Sequence, residues 1–369
     1  MKKSILFIVD KPNWAYEYMV KVWVPYLFSE YDCYITYQQD YFIKPFDGKV
    51  RWWVQLKSYF IHTLSYILNK DKLTYFVSDN KRYYYPKRTK NKVYQFDAEL
   101  NKTLVDRINF DIITEMAFYF QYTAEIPFTA PRKIVGIFTD KFPHDGPNVD
   151  IKENIDRSLL DRKSFYDKYL SSYDYIIVGG GNLEKEYKKL SNRVQFVYGI
   201  FGQNNFIENK TVGKKEGLII GWTGTPKRPM KGFESIILPA MEMVKNTGRK
   251  VELKTKFSGA YEELYPFYQD IDLVVIASDA DSGPSLYAEA CLAGVPVIST
   301  KVGLPLMGIK DGENGYFFER NPEALAEKII KLYDEREILV GFSERVKKDY
   351  LTWMDNAKTI EYFKKVLSN

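Results

Sequence analysis

The residues best suited to chemistry lie in segment 278–300, where Asp281 and Glu289 flank a turn rich in glycine, proline and serine. The apolar run before it, Leu273–Ala277, is typical of a buried parallel strand. A short helix follows the turn, and a second apolar strand begins at Val295. Since the first turn of a helix presents unpaired N–H groups and a positive dipole end, the segment predicts a diphosphate site. Glu289, about one turn into the helix, is placed to reach a sugar on that diphosphate.

Length and composition bound the class of protein. A chain of 369 residues predicts two domains of about 150 residues each or somewhat more, and 45% hydrophobic residues can build a core. The sequence contains no apolar run near the ~20 residues that span a membrane. Lys2 and Lys3 before apolar residues imitate a signal peptide, but Asp10 closes the run, so we interpret it as a first strand. Two distant cysteines predict no disulfide framework, no structural zinc and a cytoplasmic location.

Charge is concentrated in one stretch. The whole chain carries +5, yet residues 44–92 hold twelve basic and three acidic residues, a net charge of +9, together with Trp52-Trp53 and Tyr83-Tyr84-Tyr85. Basic residues mixed with aromatic ones suit an anionic membrane surface or an anionic polymer. A solvated helical face with aromatic residues packed beneath it is an equal interpretation. No nucleic-acid motif accompanies the charge, so we expect no nucleic acid partner.

Strand-like and helix-like segments alternate along most of the chain, which predicts parallel sheets with helices on both faces. We expect an N-terminal acceptor-binding domain over 1–202, a C-terminal donor-binding domain over 203–350, and a tail over 351–369. The tail is predicted to form a helix that crosses back onto the first domain or, alternatively, packs at the end of the second. Residues 40–105 fit the alternation poorly and are interpreted as a helical insertion. The predicted strands are Ile5–Val9, Cys33–Thr36, Ile112–Thr114, Lys133–Phe138, Tyr175–Val178, Val194–Tyr198, Leu218–Trp222, Val251–Lys254, Leu273–Ala277, Val295–Ser299 and Gly315–Phe318.

The second half resembles the retaining glycosyltransferases of family 4, also called glycosyl transferases group 1. Glu289–Val297 is similar to the second part of the family frame E-G-F-G-x-x-x-x-E-A-x-A-x-G-x-P-V, and Asp281 stands where the family has its first Glu. Lys231-Gly232 resembles a Lys-Gly pair that the family places against donor phosphates, and Asp311–Gly315 resembles its D-G-x-x-G turn. The resemblance covers about residues 172–335 well and residues 1–140 poorly.

The resemblance implies an α/β protein of the GT-B fold, in which two Rossmann-like domains face a central cleft. It further implies transfer of a sugar from a nucleoside-diphosphate sugar with retention of configuration and without a metal or other cofactor. Glu289 would bind the ribose and Asp281 would face the transferred sugar. The residues expected to contact the donor phosphates are Gly224, Arg228, Lys231, Gly283, Pro284, Ser285 and Leu286.

The acceptor side is less well defined. Asn13 and Trp14, in the turn after the first strand, are candidates for contact with the acceptor. Asp140 and His144, after the strand ending at Phe138, are equal candidates for a catalytic group. Acceptors of this class are glycans, lipid-linked saccharides and cell-envelope polymers, and the basic aromatic stretch favours one at the inner membrane face.

Three alternatives stay open at this stage. The protein could be a non-catalytic nucleotide-sugar-binding protein or a sugar-nucleotide epimerase of the same architecture. Asp279-Ala280-Asp281 is also an Asp-x-Asp, the metal-binding signature of the unrelated GT-A fold. Gly179-Gly180-Gly181 lacks the spacing of a dinucleotide fingerprint and is interpreted as a turn that needs positive φ.

Overall fold

The computed structural model describes residues 2–37, 92–116, 128–138 and 161–368, together with the strands at 74–78 and 81–85. Asp140 and His144 lie outside the described residues, as does most of the basic aromatic stretch. In the part of the chain that is described, no helix combines the length and the apolar character needed to cross a bilayer.

Among the described residues, the first sheet has eight strands, and we call this sheet and the helices on it the N-terminal lobe. Its strands are β1 (Lys3–Val9), β2 (Tyr31–Tyr37), β5 (Val93–Phe96), β6 (Lys102–Val105), β7 (Ile112–Glu115), β8 (Arg132–Ile137), β9 (Tyr175–Val178) and β10 (Val194–Phe196). They lie in the order β10-β9-β8-β7-β1-β2-β5-β6. Six of them are parallel, from β10 to β2, and β5 and β6 add an antiparallel edge.

The central strands are apolar on both faces because each face is covered. In β1, Ile5, Phe7 and Val9 join the main core, whereas Leu6 and Ile8 join a second cluster on the other face. That pattern is the one expected of a parallel strand buried on both sides.

The predicted helical insertion over 40–105 is wrong wherever its residues are described. A separate hairpin, β3 (Thr74–Ser78) and β4 (Lys81–Tyr85), and the edge strands β5 and β6 all form antiparallel pairs. Tyr, Phe, Val and Thr are enriched in these segments, and β-branched and aromatic residues favour strands.

The second sheet has five parallel strands, and we call this sheet and its helices the C-terminal lobe. The strands are β11 (Leu218–Thr223), β12 (Val251–Lys256), β13 (Leu273–Ile276), β14 (Val297–Ser299) and β15 (Gly315–Phe317). They lie in the order β12-β11-β13-β14-β15. The predicted strands of this half and the parallel arrangement are confirmed, with small differences at the ends.

Helices cover both sheets, and two of these helices are continuous with a π-helical turn at one end. Leu238–Asn246 follows the π turn Phe233–Ile237, and Arg162–Phe165 continues into another at Tyr166–Leu170. The helices are α1 (Ala15–Leu27), α2 (Arg162–Phe165), α3 (Gly181–Lys188), α4 (Leu238–Asn246), α5 (Leu264–Phe267), α6 (Ser285–Leu292), α7 (Gly303–Gly308), α8 (Pro322–Asp334), α9 (Arg336–Trp353) and α10 (Asn356–Ser368).

The C-terminal helix α10 packs on the N-terminal lobe. The ring centroid of Phe363 lies 4.7 Å from that of Trp23 on α1 and 6.1 Å from that of Phe7 on β1. At its start, the Asn356 amide accepts a hydrogen bond from the Ile200 N–H at 2.9 Å and donates to the Ile200 carbonyl at 2.8 Å. The prediction that the tail forms one helix is wrong, because α9 ends at Trp353 and α10 begins three residues later. The tail therefore ties the lobes together.

Candidate functional site

Lys231 and Asp281, predicted for a phosphate and for the sugar, form an ion pair with each other. Their side chains are 21% and 12% exposed. Lys231 ends a short 3-10 turn, Pro229–Lys231, in the loop that follows β11, and Asp281 follows β13, the neighbouring strand. Both therefore stand at the carboxyl edge of the sheet, where open α/β proteins bind ligands.

Gly232 explains why a glycine follows Lys231. Its φ is +66°, and a Cβ there would lie 2.5 Å from the carbonyl oxygen of Ala277 at the end of β13. No side chain fits in that space, so the loop can approach β13 closely only with glycine. That approach brings Lys231 to Asp281.

The turn before α6 has the form expected of an anion site. No side chain caps the helix, whose N-cap residue is Pro284, and Ser285 in its first turn is exposed. The Gly283 carbonyl accepts a hydrogen bond at 2.9 Å from the hydroxyl of Tyr198, which comes from the N-terminal lobe. The buried Ser282 hydroxyl has no partner. Since an uncapped helix start offers N–H groups and a positive dipole end, a phosphate bound here would also face Lys231.

Glu289 lies inside α6 and is 2% exposed. Its two carboxylate oxygens accept hydrogen bonds from the hydroxyls of Tyr268 at 2.7 Å and Tyr261 at 3.2 Å. Burial raises the pKa of Glu289, and the hydrogen bonds from Tyr268, Tyr261 and Ser285 oppose that rise. The carboxylate is thus a buried acceptor that is already hydrogen-bonded, a suitable partner for hydroxyl groups and a poor one for water.

Gly224 and Arg228 lie in the same loop as Lys231. Gly224 has φ +144° and is exposed, and its N–H donates to the Lys256 carbonyl at 3.2 Å, which closes the end of β11 against β12. The Arg228 guanidinium contacts the sulfur of Met230 at 3.2 Å. The loop therefore carries three cationic side chains, those of Lys227, Arg228 and Lys231, and Lys231 is the one paired with Asp281.

On the facing lobe, the turn after β1 carries Asn13 and Trp14. Asn13 has φ +55°, and its N–H donates to the Glu17 carboxylate at 2.7 Å, which fixes the turn. Trp14 is 46% exposed, with the Lys11 ammonium 3.4 Å from its ring centroid. Both predicted acceptor residues therefore stand on the surface at the carboxyl edge of the first sheet.

Two buried carboxyl groups at that edge were missed by sequence reasoning. Asp10 directly follows β1; one of its carboxylate oxygens has no hydrogen-bond partner, and burial raises the pKa of Asp10 to about 6. Glu115 ends β7 and accepts a hydrogen bond from Tyr173 at 3.1 Å, and burial raises its pKa to about 8. Nothing in the local sequence distinguishes a buried acid from an exposed one, although both residues lie at the ends of apolar strands.

The three glycines at 179–181 bring the lobes together. None of them has positive φ, so the predicted reason for them is wrong. A Cβ would lie 2.4 Å from the Phe138 ring at Gly179, 2.6 Å from the Ser282 carbonyl oxygen at Gly180 and 2.9 Å from the Met307 sulfur at Gly181. Close packing against the turn before α6 therefore requires glycine at 180, whereas Gly179 packs against Phe138 of its own lobe and Gly181 against Met307 on α7.

The tyrosines that hold Glu289 were also missed, although the sequence carried a signal. Tyr261 and Tyr268 are seven residues apart, a spacing that places two side chains on one face of a helical segment. Among the described residues, no group of three or more His, Cys, Asp or Glu side chains is arranged to hold a metal ion.

Known proteins can be compared with this geometry. Residues 241–349 match the family model described as Glycosyl transferases group 1, a stretch that includes Glu289 and α6. No curated protein matches the chain by sequence.

Solved structures match over the whole chain at low identity. A mutant of TarM of S. aureus, solved with fondaparinux, alpha-GlcNAc-glycerol and UDP, has a TM-score of 0.61 at 12% identity, with 100% of each chain covered. HepE of Anabaena, in complex with UDP-glucose, has a TM-score of 0.60 at 12% identity, with 99% of each chain covered. Sucrose-phosphate synthase of Thermosynechococcus elongatus has a TM-score of 0.62 at 10% identity, and the match covers 100% of this chain and 98% of that one. These likenesses show the fold.

The fold is GT-B, as the resemblance implied, and the Asp-x-Asp interpretation as a GT-A protein is wrong. Within that fold, the group 1 glycosyl transferase match lies in the C-terminal lobe.

Proposed function

We propose that this protein is a retaining glycosyltransferase of family 4 type, which moves a sugar from a nucleoside-diphosphate sugar to a saccharide acceptor. The observation that carries the proposal is the grouping of Lys231, the uncapped start of α6 and the buried Glu289 at one sheet edge. The three match the parts of such a donor, because a cation and helix dipole suit the diphosphate and a buried carboxylate suits ribose hydroxyls.

The chemistry follows from where charge develops. As the glycosidic bond breaks, negative charge grows on the departing diphosphate, and groups already aimed at that position stabilise it. We assign this task to the side chains of Lys231 and Arg228 and to the N–H groups of Gly283, Ser285 and Leu286, since Pro284 has no N–H. Because they supply fixed positive charge, we propose that transfer needs no metal ion. Asp281 is then left to contact hydroxyls of the transferred sugar.

The acceptor is proposed to bind at the turn after β1. The exposed Trp14 ring offers an apolar face to a sugar ring, and the unpartnered oxygen of Asp10 offers an acceptor for a hydroxyl. A glycan or a lipid-linked saccharide of the cell envelope fits both contacts. The basic aromatic stretch of residues 44–92 supports a role at the inner face of the cytoplasmic membrane and in polysaccharide synthesis.

A thermal-shift screen of nucleoside diphosphates and their sugars tests the proposal, with wild type and Glu289→Ala compared with and without EDTA. We expect one family of nucleotides to raise the Tm of wild type, less so in the variant, and EDTA to change nothing. Strict dependence on a divalent ion would refute the metal-free assignment. Incubation with donor alone, followed by NMR, separates the other functions: epimerisation without acceptor indicates an epimerase, and binding without hydrolysis or transfer indicates a binding protein.

A further inference from the structure

The Glu289 carboxylate has more hydrogen-bond donors around it than a ribose site can keep. Tyr268, Tyr261 and Ser285 all donate to it. A carboxylate offers about four lone-pair positions. A ribose that binds through both its 2′ and 3′ hydroxyls brings two more donors, so one of the present three must leave when a nucleotide binds.

The two tyrosines differ in how easily each can leave. Tyr268 is 0% exposed, and its ring packs against Phe206 and Phe267 in the core. Tyr261 is only half-buried and lies on the short 3-10 turn Tyr261–Glu263, directly after an exposed loop. Its hydrogen bond to Glu289 is also the longer of the two, at 3.2 Å against 2.7 Å. Of the two tyrosines, Tyr261 is therefore the donor that can move at the lower free-energy cost. Displacement of the exposed Ser285 hydroxyl instead is the competing outcome, and it would leave the ribose preference of Tyr261→Phe unchanged.

Tyr261 also contacts the other lobe. Its ring centroid lies 4.7 Å from that of Tyr18 on α1 and 5.8 Å from that of Phe201 in the segment joining the lobes, and Tyr18 and Phe201 are 5.2 Å apart. A change in the position of Tyr261 is thus transmitted to α1, the helix that begins immediately after the acceptor turn.

We propose that the Tyr261 hydroxyl occupies the place of a ribose hydroxyl on Glu289 in the free protein, and that the nucleotide binds by displacing it. Tyr268 remains as the positioning residue that orients the carboxylate. This inference rests on the proposed function, since it assigns the ribose to Glu289. It makes Tyr261 the link by which a bound nucleotide alters the contact between the two lobes.

The test compares the affinities of UDP and 2′,3′-dideoxy-UDP, measured by calorimetry, in wild type, Tyr261→Phe, Tyr268→Phe and Tyr265→Phe. In wild type, the ribose hydroxyls replace one hydrogen bond with another, so the preference for UDP is small. Without the Tyr261 hydroxyl they replace nothing, so the preference is expected to rise about tenfold, as one charge-assisted hydrogen bond allows. Tyr265 lies on the same segment, and its hydroxyl bonds to Asn205, so its variant serves as the control that keeps the wild-type preference.

Tyr268→Phe is expected to weaken UDP binding, because the carboxylate loses its orienting donor. The inference is overturned if Tyr261→Phe shows the same preference as wild type, since the ribose and Tyr261 would then bind Glu289 together. If wild type binds no nucleotide at all, the proposed function itself fails. The Tyr261→Phe result needs only that variant to fold, and removal of one half-buried hydroxyl leaves the ring packing in place.

Discussion

The ion pair between Lys231 and Asp281 makes a prediction opposite to the usual effect of removing a site residue. In the free protein the cation assigned to the diphosphate is held by a carboxylate, so the nucleotide must break that pair before Lys231 can bind it. Asp281→Asn removes the competitor. UDP lacks the transferred sugar, so any role of Asp281 toward that sugar does not enter the affinity for UDP.

The size of the effect follows from the burial of the pair. The side chains of Lys231 and Asp281 are 21% and 12% exposed. Their ion pair is therefore intermediate between exposed pairs, which contribute up to ~1 kcal/mol, and buried pairs, whose disruption costs ~3–5 kcal/mol. We therefore expect Asp281→Asn to lose roughly 1–3 kcal/mol of unfolding free energy and to bind UDP about tenfold more tightly, which corresponds to ~1.4 kcal/mol. Sugar transfer should fall in the same variant.

Isothermal titration with UDP measures the affinity, and urea unfolding measures the stability. Asp270→Asn is the matched control, because Asp270 pairs with Lys254 at 2.7 Å while its side chain is 62% exposed on the amino-terminal side of β13. That variant should bind UDP as wild type does. If Asp281→Asn binds UDP no better than wild type, the diphosphate does not compete for Lys231 and the reasoning is refuted.

Three further predictions concern the framework of the site. Burial raises the pKa of Glu115 from 4.5 to about 8, so the contribution of this group to stability is greatest below pH 4.5 and is lost as pH rises to 8. Between pH 6 and 8, above the pKa of Asp10, the unfolding free energy of wild type should fall by ~1.4 kcal/mol per pH unit. In urea unfolding of Glu115→Gln, the unfolding free energy should not change over that range. Equal slopes in the two proteins would contradict this. Gly180→Ala should lower the unfolding free energy by ~1–3 kcal/mol and weaken UDP binding, because it disturbs the turn before α6. Gly341→Ala, which has open space around it in α9, should raise the unfolding free energy by ~0.5–1 kcal/mol. If Gly180→Ala leaves stability unchanged, Gly180 is not needed for close packing. Phe363→Ala should lower the unfolding free energy by ~3–5 kcal/mol, whereas Tyr362→Ala, at an exposed position of the same helix, should change it by no more than ~0.5 kcal/mol. Similar melting temperatures for the two variants would show that α10 does not hold the lobes together.

The strands and helices of the fold could be predicted because the pattern of apolar residues along a short segment follows from which of its faces is buried. Tyr175–Val178 agrees residue for residue with β9, and the apolar run at 273–277 agrees with β13 except for its last residue. Glu289 lies between apolar neighbours in the sequence, and in the structure it is buried with them. Glycine and proline after Glu289 mark where the helix must stop, a signal that reads correctly without tertiary information.

The contacts that organise the site are long-range, and the sequence does not contain them in readable form. Lys231 and Asp281 are fifty residues apart, and both were assigned to the ligand rather than to each other. The three glycines were assigned to a backbone turn, whereas Gly180 is required by packing against Ser282 of the other lobe. The helical insertion failed for a related reason, since strand pairing at a sheet edge depends on a partner distant in sequence.

The roles of individual residues remain predictions of the geometry. A crystal structure with an intact nucleoside-diphosphate sugar tests them together. We predict that the diphosphate lies between Lys231 and the first turn of α6, that the ribose contacts Glu289, and that the Tyr261 hydroxyl moves away from that carboxylate. A nucleotide bound elsewhere, with Lys231 still paired to Asp281 and Tyr261 still on Glu289, would contradict it.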